Sequence, residues 1–381
     1  MTLQKYLNQK PLYYKEIDYN RIHIAYNILK PKINSPKTIH IVGTNGKGST
    51  GRILAHLSHL KGMTVGHYSS PHILKFNERI WINGKDSSDI ILDKAHKKLF
   101  EILGKDMSNK LTYFEYSTLL AFVVFEHCEL IVLEAGLGGE FDATNVCDKE
   151  LSIITPIGID HQDFLGNTIK EIATTKINSI QKQMLLAPQP YNEVFKIATE
   201  IATEKKAKLF NIKEANYDKL LSITKTKKWA DYLISNTKVA INAMDILNIP
   251  YNIEDIKSIE LFGRFYPLTT NIRIDVGHNP LAATAIKKAL DKDVVLIYNS
   301  LDDKDYKTVL SILKPKIKRV EIIPISSQRA TTLKEIENTL TSLDIKYKIF
   351  NNQIDKNENY LVFGSFYVVE KFLTLTKRKE N

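Results

Sequence analysis

Short apolar runs alternate with segments of helical periodicity along almost the whole chain. Residues 38–42 predict a buried strand. Residues 50–60, where isoleucine and leucine recur at helical spacing, predict the helix that follows it. Strands and helices in alternation are typical of a doubly wound α/β fold with a mainly parallel sheet. The pattern therefore predicts an α/β protein.

A second series of the same kind follows residues 262–266, whose sequence Phe-Gly-Arg-Phe-Tyr interrupts the pattern. We therefore predict a large N-terminal domain over residues 1–262 and a smaller, Rossmann-like α/β domain over residues 266–381. The remaining predicted elements are strands at 130–133, 151–155, 272–276, 294–298, 320–323, 347–350 and 360–363, and helices at 231–247, 281–290, 305–313, 333–340 and 366–373. Residues 205–228 are polar and rich in lysine, which predicts a surface excursion.

Composition supports a two-domain protein of the cell interior. The chain has 381 residues, enough for two domains that each bury a core. Its two cysteines exclude a disulfide-stapled scaffold and a cysteine-based zinc cluster. The first residues lack the apolar segment of an export signal, and the longest apolar run, residues 119–125, is too short to cross a bilayer. These features predict a cytoplasmic protein with no membrane partner.

The charge is unusual, with 53 lysines and arginines against 43 acidic residues and a formal net charge of +10. Excess positive charge favours anionic partners, which include nucleic acid, membrane surfaces and small anions such as nucleotides. The lysines are spread along the chain rather than clustered, which is the usual pattern of a solvated surface. Charge alone does not select among these partners.

The strongest motif spans residues 43–50, Gly-Thr-Asn-Gly-Lys-Gly-Ser-Thr, between a predicted strand and a predicted helix. Its glycines let backbone N–H groups turn toward a phosphate, the helix N-terminus adds its positive dipole, and Lys47 adds a mobile cation. Ser49 and Thr50 offer hydroxyl groups to phosphate or to its magnesium ion. The loop is shorter than the generic phosphate loop between its first glycine and Gly-Lys. The motif predicts nucleotide binding by a particular subclass of this loop.

Two further predicted strands end in groups that can hold a metal. The strand at 130–133 runs directly into Glu134, and the strand at 151–155 is followed by His161. Because ligands gather at the carboxyl ends of parallel strands, both groups are expected to face the phosphate loop. Carboxylates, hydroxyls and waters suit magnesium, whereas histidine is an atypical magnesium ligand, so chemistry alone favours Glu134. The pattern predicts a magnesium site.

These segments together resemble the folylpolyglutamate synthase/dihydrofolate synthase family, a branch of the Mur ligase superfamily. The matching blocks are residues 41–50, 68–72 (Tyr-Ser-Ser-Pro-His), 76–80 (Phe-Asn-Glu-Arg-Ile), 113–116, 134–145, 158–161, 165–168, 263–265 and 275–280 (Asp-Val-Gly-His-Asn-Pro). Asp-Ala-Thr-Asn after Gly-Leu-Gly-Gly, with His-Asn-Pro later in the chain, is specific to this branch. The resemblance implies a Mur ligase-like fold, in which a P-loop domain with a pteroate pocket precedes a glutamate-binding α/β domain.

The resemblance also implies roles for individual residues. It assigns ATP to Asn45, Gly46, Lys47, Gly48, Ser49, Asn242, Arg264 and Asp275, with Arg264 and His278 reaching phosphate from the domain junction. It assigns two magnesium ions to a set that includes Ser70, Glu134 and His161. It assigns the pteridine ring to Asp18, Tyr19, Asn20, Phe114 and Asp142. Lys176 matches a lysine that is carbamylated in many relatives, where the added carboxylate helps to hold the second magnesium ion.

The implied reaction is ATP-dependent addition of L-glutamate to dihydropteroate, to tetrahydrofolate polyglutamates, or to both, through an acyl phosphate. Catalysis would be by placement and charge neutralisation, in which Lys47, Arg264, His278 and magnesium offset negative charge, without a nucleophilic side chain. Lys176 belongs to the same catalytic set through its carbamylation. The enzyme would be a cytoplasmic monomer. The chain departs from the family pattern at Glu140, where arginine is usual, at the following Phe141, and in the residues around Lys176.

Two other functions remain open from the residues alone. A cell-wall amino-acid ligase of the same superfamily would share the phosphate loop but should carry an additional N-terminal domain, and only about forty residues precede the loop here. A P-loop regulator that binds nucleic acid would fit the positive charge. It should show a basic patch with interleaved aromatic residues, and the sequence has no such cluster.

Overall fold

The computed structural model describes residues 1–11, 18–213 and 215–377. These residues form two compact units. The first unit comprises the described residues of Met1–Ile157, Asn167–Tyr217 and Asn236–Ile259, and the second unit those of Gly158–Gly166, Asp218–Ser235 and Glu260–Asn381. The second unit therefore includes two segments that precede residue 260, which the alternating sequence pattern does not indicate.

The first unit contains an eight-stranded sheet. Its strands are β1 (Lys37–Val42), β2 (Val65–Tyr68), β3 (Ile80–Ile82), β4 (Lys85–Asp86), β5 (Leu130–Glu134), β6 (Leu151–Ile154), β7 (Gln183–Leu186) and β8 (Lys208–Asn211). Their order across the sheet is β4-β3-β2-β5-β1-β6-β7-β8. The strands from β2 to β8 in this order are parallel, and β3 and β4 form an antiparallel edge.

The second unit contains a six-stranded sheet. Its strands are β9 (Tyr266–Pro267), β10 (Ile272–Ile274), β11 (Val294–Tyr298), β12 (Ile317–Ile322), β13 (Tyr347–Ile349) and β14 (Tyr360–Phe363), in the order β13-β12-β11-β14-β10-β9. Only the short edge strand β9 is antiparallel to its neighbour. Two mainly parallel sheets confirm the α/β fold class.

Helices join the strands in both units. They are α1 (Leu3–Leu7), α2 (Arg21–Leu29), α3 (Lys47–Leu60), α4 (Asp89–Lys110), α5 (Tyr113–Val124), α6 (Gln162–Leu165), α7 (Ile169–Ile177), α8 (Asn192–Glu204), α9 (Asp218–Thr226), α10 (Asp231–Ile246), α11 (Pro280–Ala289), α12 (Tyr306–Leu313), α13 (Leu333–Ser342) and α14 (Phe366–Lys377). Helices α5, α7 and α13 each begin with a capping box of threonine and glutamate, which satisfies N–H groups of the first turn. Within the described part of the chain, no helix has the length and apolar character that a membrane crossing requires.

Each unit has its own apolar core. In the first unit, Leu99 of α4, Leu119 of α5 and Leu133 of β5 are fully buried in one cluster, which packs these helices against the sheet. In the second unit, Leu296 of β11 and Leu310 of α12 are buried in a separate cluster. Burial of large aliphatic side chains is the main stabilising term, worth about 1.5–3 kcal/mol for each one.

The structure differs from the sequence pattern at residues 205–228. The pattern predicts a surface excursion, but the segment forms strand β8, which pairs in parallel with β7, and helix α9. The pattern does not predict β8 because β8 is an edge strand, whose end residues Lys208 and Asn211 are exposed. An edge strand lacks the continuous apolar run by which a central parallel strand is recognised.

The order of the strands places the phosphate loop beside the predicted metal ligands of the first unit. Strand β1 lies between β5 and β6, with Ile41 opposite Glu134 and Val42 opposite Ile154. Strand β2 is parallel to β5 on its other side. The segments that follow β1, β2, β5 and β6 therefore leave the sheet at one edge, which is where α/β proteins bind ligands.

Candidate active site

The phosphate loop of residues 43–46 connects β1 to α3 in a backbone conformation that favours glycine. Gly46 has φ +89° immediately before the first residue of α3, Lys47. The N–H groups of Thr44 and Asn45 donate to the carbonyl oxygen of Pro156, at 3.0 and 3.1 Å, which fastens the loop to the end of β6. The N–H groups of the first turn of α3 have no acceptor within the helix, so they are available to an anion.

Lys47 and Lys176 place two ammonium groups beside this loop. Lys47 Nζ donates to the carbonyl oxygens of Gly43 and Thr44, at 3.2 and 3.3 Å. Lys176, in the last turn of α7, is buried and donates from Nζ to the same Gly43 oxygen at 3.1 Å. Two cations that share one carbonyl concentrate positive charge where the motif predicts phosphate.

Ser49 and Asn236 meet behind the loop. The Ser49 hydroxyl is buried and accepts a hydrogen bond from Asn236 Nδ2 at 2.9 Å. Asn236 lies on α10, far from the loop in sequence, and no local motif marks it. A Cβ atom on Gly46 would lie 2.7 Å from Asn236 Oδ1, so the loop and α10 are in close contact here.

This contact predicts that Gly46→Ala is more damaging than a glycine substitution of equal backbone strain. Gly62 has nearly the same φ, +87°, but a Cβ atom there would meet nothing within 4 Å, so Gly62→Ala is the matched control. Strain alone should cost about 1–3 kcal/mol of folding free energy at either position. Only Gly46→Ala should also raise the KM for ATP, by about tenfold, because Asn236 and the loop must separate. Equal KM values for the two variants would contradict the packing role of Asn236.

Ser70 and Glu134, two of the three predicted metal ligands, are adjacent. Glu134 ends β5 and is buried, and its Oε2 accepts a hydrogen bond from the backbone N–H of Ser70 at 3.2 Å. The Glu134 carboxylate contacts the backbone of a residue that carries a hydroxyl group, and carboxylate and hydroxyl oxygens are donors that suit magnesium. Among the described residues, no group of three or more histidine, cysteine, aspartate or glutamate side chains is placed to hold a metal.

Asp142 sits in the turn that follows β5. It is 6% exposed, and its Oδ2 accepts from the backbone N–H of Leu137 at 2.8 Å. Its Oδ1 accepts from Thr144 twice, from the backbone N–H at 2.9 Å and from Oγ1 at 2.5 Å. Burial raises the pKa of Asp142, and these hydrogen bonds oppose the rise.

Phe114 packs against the turn after β5. It lies in the first turn of α5, and a Cβ atom on Gly136 would lie 2.5 Å from its ring. Its ring centroid is 5.9 Å from that of Tyr68, at the end of β2. Because Gly136 has no Cβ atom, the Phe114 ring packs directly against the backbone of the turn that contains Asp142.

Asp18, Tyr19 and Asn20 precede α2. The Asp18 carboxylate accepts from the N–H groups of Asn20 and Arg21, at 2.9 and 3.1 Å. Arg21 forms a bidentate ion pair with Glu115 of α5, at 3.0 Å, which ties the start of α2 to the helix that carries Phe114. This pair fixes the segment that carries Asp18, Tyr19 and Asn20 to the helix that carries Phe114.

Tyr19 also meets a residue that departs from the family pattern. Its ring centroid is 4.5 Å from that of Phe141, and both side chains are about half exposed. The adjacent departure, Glu140, accepts a hydrogen bond at Oε2 from Asn178, which is one of the altered residues around Lys176. One departure therefore contacts a predicted pteridine residue, and the other contacts a second altered residue.

In the second unit, His161 and His278 lie around a buried carboxylate, Asp160. His278 Nε2 is 3.4 Å from Asp160 Oδ2, and Asn279 Nδ2 donates to the same oxygen at 3.0 Å. Lys304, which sequence reasoning missed, is buried and donates to Asp160 Oδ1 at 2.6 Å, and its Nζ lies 3.5 Å from His161 Nε2. Burial favours a higher pKa for Asp160, but the hydrogen bond from His278 and the charges of His278 and Lys304 hold it well below its usual value.

Arg264 and Asp275 belong to a second polar group of this unit. Asp275 Oδ2 accepts from Tyr232 Oη at 2.6 Å and from the Phe265 N–H at 2.8 Å, and burial raises its pKa. The Arg264 guanidinium lies 5.4 Å from the ring centroid of Phe366. Asp275 therefore fixes the backbone of the Gly-Arg-Phe motif at Phe265. A nucleotide contact by Asp275 stays a prediction.

Asn242, on α10, uses both ends of its side chain within the first unit. Its Oδ1 accepts from the Lys213 N–H at 2.9 Å, and its Nδ2 donates to Tyr217 Oη at 3.0 Å and to the Lys238 carbonyl at 2.8 Å. These bonds hold Lys213 and Tyr217 against α10. A nucleotide contact by Asn242 stays a prediction.

Comparison with known proteins gives the same family as the motifs. No protein-family model matches the chain. The chain is 31% identical to the dihydrofolate synthase/folylpolyglutamate synthase of Haemophilus influenzae, over an alignment that covers 88% of each chain. The chain belongs to the dihydrofolate synthase/folylpolyglutamate synthase family. It is therefore an ATP-dependent ligase.

Solved structures of the family have the same fold. A folylpolyglutamate synthetase of Helicobacter pylori superposes with a TM-score of 0.81 at 37% identity, covering 99% of this chain and 98% of that one. Escherichia coli FolC in complex with DHPP and ADP gives a TM-score of 0.84 at 27% identity, over 100% and 99% of the two chains. The Yersinia pestis bifunctional enzyme, complexed with AMPPNP and a Mn ion, gives 0.81 at 25% identity, over 97% and 96%. Nucleotide and a divalent metal are therefore ligands of this family.

Proposed function

We propose that the chain is bifunctional and adds L-glutamate both to dihydropteroate and to tetrahydrofolate polyglutamates. The observation that carries the proposal is the common sheet edge of the first unit. The phosphate loop follows β1 there, and the Asp142 turn with Phe114 packed against it follows β5. An acceptor ring at that turn and ATP at that loop would lie on neighbouring strands. The Haemophilus influenzae relative is named for both activities, and the Escherichia coli structure holds DHPP.

The reaction needs charge neutralisation more than covalent help from the protein. An acceptor carboxylate oxygen attacks the γ-phosphorus of ATP, the bond to the ADP oxygen breaks, and an acyl phosphate forms. The amino nitrogen of glutamate then attacks the acyl carbon, loses a proton, and inorganic phosphate leaves. Lys47, whose ammonium group is held at the loop, would offset negative charge on the transferring phosphoryl group. Phosphate contacts by Arg264 and His278 stay predictions.

Ser70 and Glu134 are the residues of the first unit that would hold magnesium. Bound there, the ion would supply charge for the phosphates and polarise their oxygens. Their contact and their oxygen donors support this assignment. We also propose His161 as a further ligand, a second magnesium ion and carbamylation of Lys176. Intact-protein mass spectrometry in bicarbonate buffer tests the carbamylation, which adds the mass of one carbon dioxide to Lys176.

The positive charge of the chain fits its proposed substrates. All of them are anions: ATP, glutamate, a pteroate carboxylate and a growing polyglutamate tail. A net charge of +10 without a basic cluster in the sequence is consistent with small anionic partners. We therefore propose no nucleic-acid or membrane partner. A monomer in the cytoplasm stays the prediction made from the sequence.

Asp142→Asn tests the acceptor pocket. Asp142 accepts hydrogen bonds at both oxygens, and an amide in its place turns an NH₂ group toward one set of donors. We expect the KM for dihydropteroate to rise by about tenfold or more and the KM for ATP to change by less than about twofold. The control is Asp148→Asn, an exposed carboxylate on the same segment that pairs with Lys30.

Both acceptors are assayed with each variant. Turnover of dihydropteroate and of tetrahydrofolate by the unmodified enzyme is the expected result. Turnover of tetrahydrofolate alone would refute bifunctionality. An unchanged KM for dihydropteroate in Asp142→Asn would remove Asp142 from the pocket while leaving the ligase chemistry intact.

A further inference from the structure

A buried chain of hydrogen bonds leads from the Asp142 turn into the central strand of the sheet. Thr144 donates from Oγ1 to Asp142 Oδ1 at 2.5 Å, and His40 Nε2 lies 2.8 Å from the same Thr144 Oγ1. His40 and Thr144 are fully buried. His40 belongs to β1, three residues before the first glycine of the phosphate loop.

The direction of each hydrogen bond follows from proton counting. A threonine hydroxyl has one proton, and at 2.5 Å from a carboxylate oxygen that proton points to Asp142. Thr144 Oγ1 must then accept from His40, so His40 is the neutral tautomer with its proton on Nε2. Burial, followed by the charge of Lys149, lowers the pKa of His40 well below its usual value, which agrees with a neutral ring. Among the described residues, Nδ1 of His40 has no hydrogen-bond partner.

Through these hydrogen bonds His40 affects the orientation of the Asp142 carboxylate, which a buried side chain without a donor would not do. Without the Nε2–H donor, Thr144 Oγ1 loses the hydrogen bond that fixes it from the side of β1, and the hydroxyl group that donates to Asp142 is less firmly held. Asp142 is only 6% exposed. Its hydrogen bonds with Leu137 and Thr144 fix the plane of the carboxylate that a bound ring would contact.

We propose that His40 is a positioning residue for the acceptor pocket, acting through Thr144 to hold the Asp142 carboxylate in one orientation for the pteridine ring. The proposal rests on the proposed role of Asp142 in binding the acceptor. It adds to the acceptor pocket a residue, His40, that acts only through Thr144 and lies outside the matched motifs.

The test compares His40→Leu with His40→Gln and with His67→Leu. Glutamine can donate an N–H from nearly the position of the histidine Nε2, whereas leucine cannot. His67, on β2, is equally buried and has no hydrogen-bond partner for either ring nitrogen among the described residues, which makes it the matched control for loss of a buried histidine. The measurements are kcat and the KM values for dihydropteroate and ATP.

We expect His40→Leu to raise the KM for dihydropteroate by about tenfold with the KM for ATP nearly unchanged, and His40→Gln to restore it to within about threefold. His67→Leu should leave the KM for dihydropteroate unchanged. A long-range ¹H–¹⁵N spectrum should show His40 with its proton on Nε2. Equal effects of His40→Leu and His67→Leu, or no rescue by glutamine, would overturn the proposal.

Thr144 provides a second series if His40→Leu does not fold. Thr144→Val should raise the KM for dihydropteroate as His40→Leu does, and Thr144→Ser, which keeps the hydroxyl, should not. Where all variants fold, His40→Leu combined with Thr144→Val should be no worse than Thr144→Val alone, because His40 acts on Asp142 only through the Thr144 hydroxyl. Equal KM values for the valine and serine variants would overturn the proposal.

Asp142→Asn separates this inference from the proposed function. If that variant raises the KM for dihydropteroate and His40→Leu does not, the positioning role is wrong and the pocket stands. If Asp142→Asn has no effect on that KM, the pocket assignment is wrong and the positioning role falls with it.

Discussion

Lys47→Ala is expected to lower kcat/KM for ATP by about 10²–10³-fold, which corresponds to about 3–4 kcal/mol of transition-state stabilisation. Lys47 is the first residue of α3, and the carbonyl oxygens of Gly43 and Thr44 hold its ammonium group at the loop. Removal of this charge leaves the helix N-terminus and the bound metal ion to offset the charge of the phosphoryl group. Steady-state kinetics with varied ATP at saturating acceptor and glutamate measure the loss.

The control is Lys61→Ala, at the opposite end of the same helix. Lys61 forms an ion pair of 2.6 Å with Asp255 and is partly exposed, so its loss should cost no more than about 1 kcal/mol of stability and should change kcat/KM by less than about twofold. Equal losses of activity in the two variants would show that the Lys47 effect is structural and would contradict its role at phosphate.

Glu134→Gln is expected to lower kcat by about 100-fold or more and to raise the magnesium concentration needed for half-maximal activity. The substitution keeps the size of the side chain and an oxygen that can accept from the Ser70 N–H, but it removes the negative charge that a divalent ion requires. A magnesium titration of activity at fixed total ATP gives both quantities.

Glu129→Gln is the matched control for this change. Glu129 immediately precedes β5, whereas Glu134 ends it, and Glu129 accepts hydrogen bonds from the backbone and hydroxyl of Thr64. We expect its magnesium dependence to equal that of the unmodified enzyme. An unaltered magnesium requirement in Glu134→Gln would place the metal elsewhere.

Elements with a strong local pattern could be predicted from the sequence. The apolar run of β1 and the helical spacing in α3 predict both elements and the loop between them. The structure starts α3 at Lys47 rather than near residue 50, because the left-handed Gly46 ends the loop and the first helical turn is polar. The spacing of apolar residues does not reveal where a helix begins when its first turn is polar.

Contacts between residues distant in sequence could not be predicted in this way. Asn236 behind the phosphate loop and Lys304 beside Asp160 come from segments with no motif, and only the folded chain shows them. The His40–Thr144–Asp142 chain joins a residue of β1 that lies outside the matched motifs to the motif of residues 134–145. Motif matching identifies such residues one at a time, and it gives no information on which of them touch.

The origin of the oxygen atoms in the released phosphate tests the central claim, ATP-dependent ligation of glutamate through an acyl phosphate, most directly. Dihydropteroate labelled with ¹⁸O in its carboxylate is incubated with ATP, magnesium and L-glutamate, and the inorganic phosphate is analysed by mass spectrometry. The account predicts ADP as the nucleotide product, one ¹⁸O atom in each phosphate released, and a glutamate-dependent yield of amide that matches it. Phosphate without the label, or AMP in place of ADP, would contradict it.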